Sequence, residues 1–285
     1  MIKIKAPAKI NLTLEVLGKR PDGYHDIKSV VQEISLADEL EFSPAAGMSY
    51  TSDSPEWAGD KSLVSRAAAL LKTRYGVEEG ANVRVTKRIP LRSGLGGDSS
   101  CAAAALKGFN RLWRLGLGVG QLMELAAELG SDVPFFLMGG TALIEGRGEM
   151  VTLLGPFPAC WAVIVVPDVN VDDDKTGRLY RSLSPGDFTD GRRTEELVAA
   201  LVENRPVEPH MLGNAFERVA AVVWPDIEEY RWQMMKAGAD RVYLSGAGPA
   251  LFSLFNKRTK AEKIYAELKT GGNEVYFIGL GNANK

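Results

Sequence analysis

Thiols and imidazoles are scarce here: two cysteines and two histidines in 285 residues. Two cysteines, Cys101 and Cys160, are too few for a disulfide framework or a zinc site. Both sit in apolar surroundings and read as small buried hydrophobes, which suits a reducing cytoplasm. There is also no basic excess. Lysine and arginine number 34 against 36 acidic residues, a net charge of −2, so an extended nucleic-acid surface is excluded. No run of 18 apolar residues occurs, so no segment reads as membrane-spanning. The N-terminal stretch MIKIKAPAKINLTLEV alternates too regularly for a signal or transit peptide, and a cytoplasmic protein is expected. Internal repeats and low-complexity tracts are absent. What remains is ordinary globular composition, 45% hydrophobic and 25% charged, in a chain long enough for one large or two ordinary domains.

The most informative stretch is Pro90 to Ala105, PLRSGLGGDSSCAAAA. It follows an alternating run, Val83 to Lys87, that reads as a strand, and it enters an alanine-rich helix reaching about Leu115. Gly94, Gly96 and Gly97 permit positive φ and let a ligand approach bare backbone. A helix starting beside such a loop aims unpaired N–H groups and its positive dipole end at whatever lies there, a geometry suited to phosphate. The loop is not a P-loop, because no Gly-Lys-Ser/Thr follows. Nor is it a dinucleotide fingerprint, because Ser99 stands where GxGxxG needs its third glycine.

Elsewhere, strands are expected over Ile2 to Lys5 and Ile10 to Val16, separated by a break at residues 6–9. A loop follows over Gly18 to His25, then strands at Ser29 to Leu36 and Glu39 to Phe42. Helices are expected at Leu63 to Tyr75, with Gly76 as a stop, and at Gln121 to Leu129. Apolar Val133 to Met138 and Thr141 to Glu145 read as strands. Two prolines near Gly155 mark a domain boundary, giving domains 1–155 and 156–285. Beyond it come a strand at Trp161 to Val166 and helices at Thr176 to Leu183, Thr194 to Glu203, Met211 to Val223 and Ile227 to Ala237. A strand at Val242 to Leu244, a glycine turn SGAGP from Ser245, an apolar run Leu251 to Phe255, a helix Lys260 to Leu268 and a strand Glu274 to Ile278 complete the chain. The pattern is α+β in two lobes.

Four stretches taken in order, PAKINL from Pro7, the Pro90–Ser100 loop, GSDVPFF from Gly130 and SGAGP from Ser245, resemble the GHMP kinases. Pro90, Gly94, Leu95, Gly96, Gly97, Ser99 and Ser100 match that family's phosphate loop. The resemblance covers essentially the whole chain. It implies an N-terminal ATP-binding lobe and a C-terminal α/β lobe with the active site in the cleft between them. The loop GKRPDGYH, ending at His25, is similar only to the branch that phosphorylates a polyol bearing a cytidine diphosphate in the non-mevalonate isoprenoid route. A mevalonate- or homoserine-type kinase, or a non-catalytic ligand-sensing member, are the alternatives. A sensor would be expected to lack Lys9 or Asp132, and both are present.

Phosphoryl transfer requires an in-line nucleophile and stabilisation of the charge on the moving group. A carboxylate that takes the acceptor hydroxyl's proton contributes roughly 10²–10⁴-fold. Asp132 is the candidate, with Lys9 keeping it ionised and offsetting developing charge; the resemblance implies the same pair. Asn11 is expected to orient Lys9 or the substrate. The residues Pro90, Leu91, Arg92, Ser93, Gly94, Leu95, Gly96, Gly97, Asp98, Ser99 and Ser100 are expected to hold the ATP phosphates. Magnesium is expected from the charge of a nucleotide triphosphate, with no motif naming its ligands; Ser100 and water-mediated contacts are the options. The resemblance places His25, flanked by Tyr24, on the cytosine, and Thr176 and Tyr180 on one helix face with Tyr180 closing the base's other side. Two departures from the family stand in the loop. Asp98 replaces a small residue and either repels ATP, caps the helix at Ser99 or helps hold magnesium. Cys101 replaces an asparagine. A third departure is the acidic run Asp172-Asp173-Asp174 before Thr176. Nothing in the sequence decides between monomer and homodimer.

Overall fold

A computed structural model describes residues 1–172, 174–281 and 283; Asp173 lies outside the described residues. In chain order the elements are β1 (Ile2–Asn11), β2 (Thr13–Lys19), β3 (His25–Ala45), β4 (Met48–Ser52), α1 (Leu63–Tyr75) and β5 (Gly80–Thr86). Next come α2 (Gly97–Leu112), α3 (Val119–Leu129), α4 (Val133–Met138), β6 (Thr141–Gly146), β7 (Met150–Leu153) and β8 (Cys160–Val166). Then follow α5 (Lys175–Ser182), α6 (Arg192–Val202), β9 (Gly213–Asn214), α7 (Glu217–Val223) and α8 (Ile227–Lys236). The chain ends with β10 (Tyr243–Leu244), β11 (Leu251–Phe255), α9 (Arg258–Thr270) and β12 (Glu274–Leu280). The mixture of helices and sheets agrees with the α+β expectation.

The chain forms two compact units. One comprises Met1–Ala8, Leu36–Leu91 and Gly96–Gly139; the other comprises Lys9–Ser35, Arg92–Leu95 and Gly140–Lys285. In the first unit β5 pairs antiparallel with the C-terminal half of β3 and parallel with β4. Leu40, Phe42, Val83 and Val85 alternate with polar neighbours and are buried, as a half-covered sheet demands. The covering layer includes α2, whose Gly108 lies against Phe42: a Cβ there would come within 2.4 Å of the ring. That close approach also sets Phe42 edge-on to Phe109, centroids 5.2 Å apart. Helix α1 begins where Ser62 accepts a bond from the Ser65 N–H, and it ends at the expected stop, Gly76, in the left-handed region.

In the second unit the N-terminal half of β3 pairs with β2 and β6, and β2 pairs parallel with β9. A separate antiparallel sheet, ordered β10-β11-β8-β12, carries α9 on one side. Strand β8 is buried almost throughout because it is central in that sheet.

Four local expectations are corrected. Pro7 does not interrupt β1, because proline's φ suits an extended chain and only its N–H is missing. Residues 25–45 form one strand rather than a loop end and two strands; Asp38 sits inside it, fully buried. Val133 to Met138 is a helix, α4, with proline in its first turn. A six-residue apolar run carries no period that separates helix from strand. The helix expected over Met211 to Val223 starts only at Glu217, because Gly213–Asn214 pairs with β2 instead.

Candidate active site

The glycine loop has the backbone its composition implied. Arg92, Gly94 and Gly96 have φ of 54°, 88° and 77°. Gly94 is irreplaceable on two counts, since a Cβ would also stand 2.4 Å from the Ser245 carbonyl oxygen and 2.7 Å from that of Gly248. The loop is tied to two other motifs. The Lys9 N–H donates to the Leu95 carbonyl, the Ala250 N–H to the Ser93 carbonyl, both at 2.9 Å, and the Ser245 hydroxyl to the Gly94 carbonyl at 3.3 Å. PAKIN, the first half of the glycine loop and SGAGP therefore converge, although they are scattered over some 240 residues of sequence.

Helix α2 starts at Gly97 with Gly96 as its N-cap and no side-chain cap. Its first N–H groups have no partner within the helix. The N-cap is Gly96 and Asp98 lies exposed inside the first turn, so Asp98 does not cap the helix. The Ser100 hydroxyl is buried with no hydrogen-bond partner. A buried hydroxyl without a partner is costly unless something outside the protein takes it up. No cluster of three or more His, Cys, Asp or Glu that would hold a metal occurs among the described residues.

Lys9 and Asn11 are both buried at the end of β1, and the Lys9 ammonium donates to Asn11 Oδ1. Asn11 Nδ2 donates to Ser29 Oγ at 2.9 Å, and Ser29 donates to the Thr13 carbonyl. The SGAGP turn closes over the pair. A Cβ on Gly246 would stand 2.7 Å from Lys9 Nζ and 3.2 Å from Asn11 Oδ1. Asp132 is exposed at the N-terminus of α4, with αR backbone and no capping bond from its side chain. Its place follows from the Gly130–Val133 turn, where the Val133 N–H donates to the Gly130 carbonyl at 3.2 Å.

His25, Tyr24, Thr176 and Tyr180 are the residues expected at the base. His25, the first residue of β3, stacks on Tyr180 of α5 with centroids 4.8 Å apart and planes 22° from parallel. Burial, aided by the nearby Lys19 charge, lowers the His25 pKa, which keeps the ring neutral at pH 7. Tyr24 is exposed, with the Arg147 guanidinium 4.7 Å above its ring. Thr176 is exposed on α5, one turn before Tyr180. Phe188 and Phe216, which sequence reasoning passed over, extend the cluster edge-on to His25 and Tyr180 at 6.1 and 4.9 Å.

Two buried lysines were also passed over. Lys175, just before Thr176, donates to the Arg92 carbonyl at 2.5 Å and to the Gly248 carbonyl, bracing the loop against SGAGP. Lys87 pairs with Asp38, and its ammonium lies 3.4 Å from where a Cβ on Gly97 would stand. Both lysines sit near motifs, but nothing in the sequence reveals that they are buried.

Comparison with known proteins places this geometry in context. The chain matches the model for the GHMP kinases N terminal domain over residues 62–140 and that for the GHMP kinases C terminal over 197–274. It is 49% identical over 278 residues to 4-diphosphocytidyl-2-C-methyl-D-erythritol kinase of Dehalococcoides mccartyi strain BAV1, covering 98% of each chain. It is 38% identical to the protein of the same name from Geobacillus thermodenitrificans, over 98% and 97% of the two chains. A crystal structure of 4-(cytidine 5'-diphospho)-2C-methyl-D-erythritol kinase superposes with a TM-score of 0.82 at 33% identity, over 98% of this chain and 99% of that one. Homoserine kinase from Cytophaga hutchinsonii, at 22% identity over 98% and 95% of the chains with a TM-score of 0.75, shares the fold.

Proposed function

The chain belongs to the GHMP kinases, and on that premise we propose that it transfers the γ-phosphoryl group of ATP to a hydroxyl of 4-diphosphocytidyl-2-C-methyl-D-erythritol. The product is the 2-phosphate, an intermediate of the non-mevalonate route to isoprenoid precursors. The observation that carries this reading is the 49% identity, over nearly the full length of both chains, to a kinase named for that substrate. The residues of the GKRPDGYH loop and the His25–Tyr180 stack support it.

In this reading Asp132 accepts the proton of the acceptor hydroxyl as the oxygen forms its bond to the γ-phosphorus. The bond to the β,γ-bridging oxygen breaks, and that oxygen leaves as part of ADP. Lys9 keeps Asp132 ionised and balances charge on the phosphoryl oxygens, with Asn11 fixing the ammonium through Oδ1. Pro90, Leu91, Arg92 and Ser93 lead into a cradle in which the backbone N–H groups of Gly94 to Ser99 bind the ATP phosphates, while the Ser100 N–H is taken by the Gly96 carbonyl at 2.9 Å and Ser100 contributes through its hydroxyl. The Ser100 hydroxyl, buried with no partner, fits a magnesium ligand, whereas Asp98, two residues earlier in α2, is exposed on a different side of the turn. Magnesium bound there supplies charge neutralisation to the triphosphate.

Cytosine is read by His25 and enters between His25 and Tyr180. Two stacking contacts of roughly 3.5 Å each need a gap of about 7 Å, so the rings part by about 2 Å to admit it. Tyr24 and Thr176 border the same substrate. The two GHMP matches, which fall on either side of Gly155, support a division into ATP-binding residues 1–155 and a C-terminal domain 156–285.

The deciding experiment measures ATP consumption with magnesium and the cytidyl substrate, set against mevalonate, homoserine and galactose. Turnover with the cytidyl substrate alone is expected, and Asp132→Asn lowers kcat by about 10²-fold or more. Turnover on a different acceptor would reassign the substrate. A nearly intact Asp132→Asn enzyme would remove the base from this mechanism.

A further inference from the structure

We infer that Ser29 is a positioning residue for the phosphoryl-transfer site, holding the Asn11 amide in the one orientation that can hold Lys9; the inference rests on the proposed role of Lys9. The case is an accounting of donors and acceptors in a buried chain. An ammonium group only donates, so the Asn11 atom facing Lys9 is its oxygen. The amide NH2 must then point the other way, and it meets Ser29 Oγ at 2.9 Å. Whether Ser29 can receive it depends on where its single proton goes. That proton is committed to the Thr13 carbonyl, which leaves Oγ an acceptor on the side of Asn11.

Each link excludes its reverse. A flipped Asn11 would present NH2 to an ammonium and its oxygen to a hydroxyl whose proton is already spent. Water cannot repair the mismatch, because Lys9 and Asn11 are 4% and 5% exposed and Ser29 and Thr13 are fully buried. Space on the far side is limited too, since even a Cβ on Gly246 would stand 2.7 Å from Lys9 Nζ and 3.2 Å from Asn11 Oδ1. The frame around Ser29 is rigid: it pairs with Ile144 in the β3–β6 ladder, and the neighbouring Val30 N–H donates to the Thr13 hydroxyl at 2.8 Å. Ser29 touches no reacting atom and acts only through Asn11.

The test is a double-mutant cycle of Ser29→Ala, Asn11→Ala and the combined variant. kcat, KM for ATP and acceptor, and Tm are read for each. Ser29→Ala is expected to lower kcat by about tenfold to a hundredfold with KM for both substrates nearly unchanged. In the Asn11→Ala background the same substitution is expected to change kcat less than about twofold, because there is no amide left to orient. An equal loss in both backgrounds, or no loss in either, overturns the inference and leaves Ser29 a packing residue. If Ser29→Ala does not accumulate folded, Ser29→Cys, close in size but a weak acceptor, takes its place in the cycle. A readout independent of turnover is the side-chain NH2 pair of Asn11 in a 1H–15N spectrum, identified by its disappearance in Asn11→Ala. It is expected to shift in Ser29→Ala, and an unmoved pair overturns the inference even in an active enzyme. A wild-type chain inactive on the cytidyl substrate while the pair shifts would instead sink the functional reading alone.

Discussion

Asp38 offers the sharpest test of what holds the segment leading into the glycine loop. Its carboxylate is fully buried inside β3 and satisfies four donors: the N–H groups of Arg88 at 2.6 Å and Ile89 at 2.8 Å, the Cys101 thiol at 3.3 Å, and the Lys87 ammonium. Those donors come from the segment entering the loop and from the second turn of α2. Asp38→Ala strands the Lys87 ammonium, whose side chain is only 6% exposed, which costs about 3–5 kcal/mol. It also orphans two backbone N–H groups at about 1–3 kcal/mol each, although these losses overlap with the first and part of them is relieved by water. A total of roughly 4–6 kcal/mol is expected, a large share of the 5–15 kcal/mol that typically stabilises a domain. Asp38→Asn keeps Oδ1 for the two N–H groups but turns its NH2, a donor, toward the Lys87 ammonium and the Cys101 thiol, so only the backbone share of the cost, about 1–2 kcal/mol, is expected to be recovered. Asp38→Ala with Lys87→Met removes the stranded charge and is expected to be more stable than Asp38→Ala alone. Urea unfolding with the m-value checked for constancy reads all three. A loss under about 1 kcal/mol for Asp38→Ala, or a double variant weaker than the single, would refute the reasoning.

Other expectations follow from the same structure. The same pair predicts an alkaline limit. Burial pulls the Lys87 pKa down, but nearby negative charge outweighs it and holds the value above 10.5. Cys101 is neutral at pH 7 because burial raises its own pKa, so Asp38 is the partner that counts. A raised ammonium pKa contributes stability below 10.5 that fades as pH climbs through the folded value, and Lys87→Met should flatten that limb of a stability–pH curve. At the acid end, His25 has a lowered pKa, so its contribution is present above 6.5 and fades as pH falls through the folded value. Stability measured from pH 8 to pH 5 should fall less in His25→Gln than in the wild type, and an equal fall would refute this. Lys175→Met leaves the Arg92 and Gly248 carbonyls without their shared donor; a loss of about 2–3 kcal/mol and a raised KM for ATP are expected, from thermal melts and ATP titration. Gly94→Ala meets both a positive φ and two carbonyl oxygens, and it should abolish ATP binding or folding, as calorimetry with a non-hydrolysable ATP analogue would show.

Sequence alone determined those features whose cause lies within a few residues. The glycines at 94, 96 and 97 ahead of an alanine helix dictate a loop that offers N–H groups to an anion, and the φ values of Gly94 and Gly96 agree. Ser62 and Gly76 bound α1 for equally local reasons. The four motifs in their order, with GKRPDGYH, were enough to point to the family and to the substrate later found in its relatives' names. Where a local pattern was silent, reading failed: Val133 to Met138 has no period, and its helix is decided by what buries it. Tertiary structure alone decided how the site is held. Lys175 reaches carbonyls 83 and 73 residues away, Asp38 meets a lysine 49 residues on, and Ser29 meets Asn11 across neighbouring strands. Each of these side chains looks like an ordinary surface residue in sequence. Burial in a low-dielectric interior makes its hydrogen bonds obligatory, and burial is a property of the assembled fold rather than of any stretch of chain.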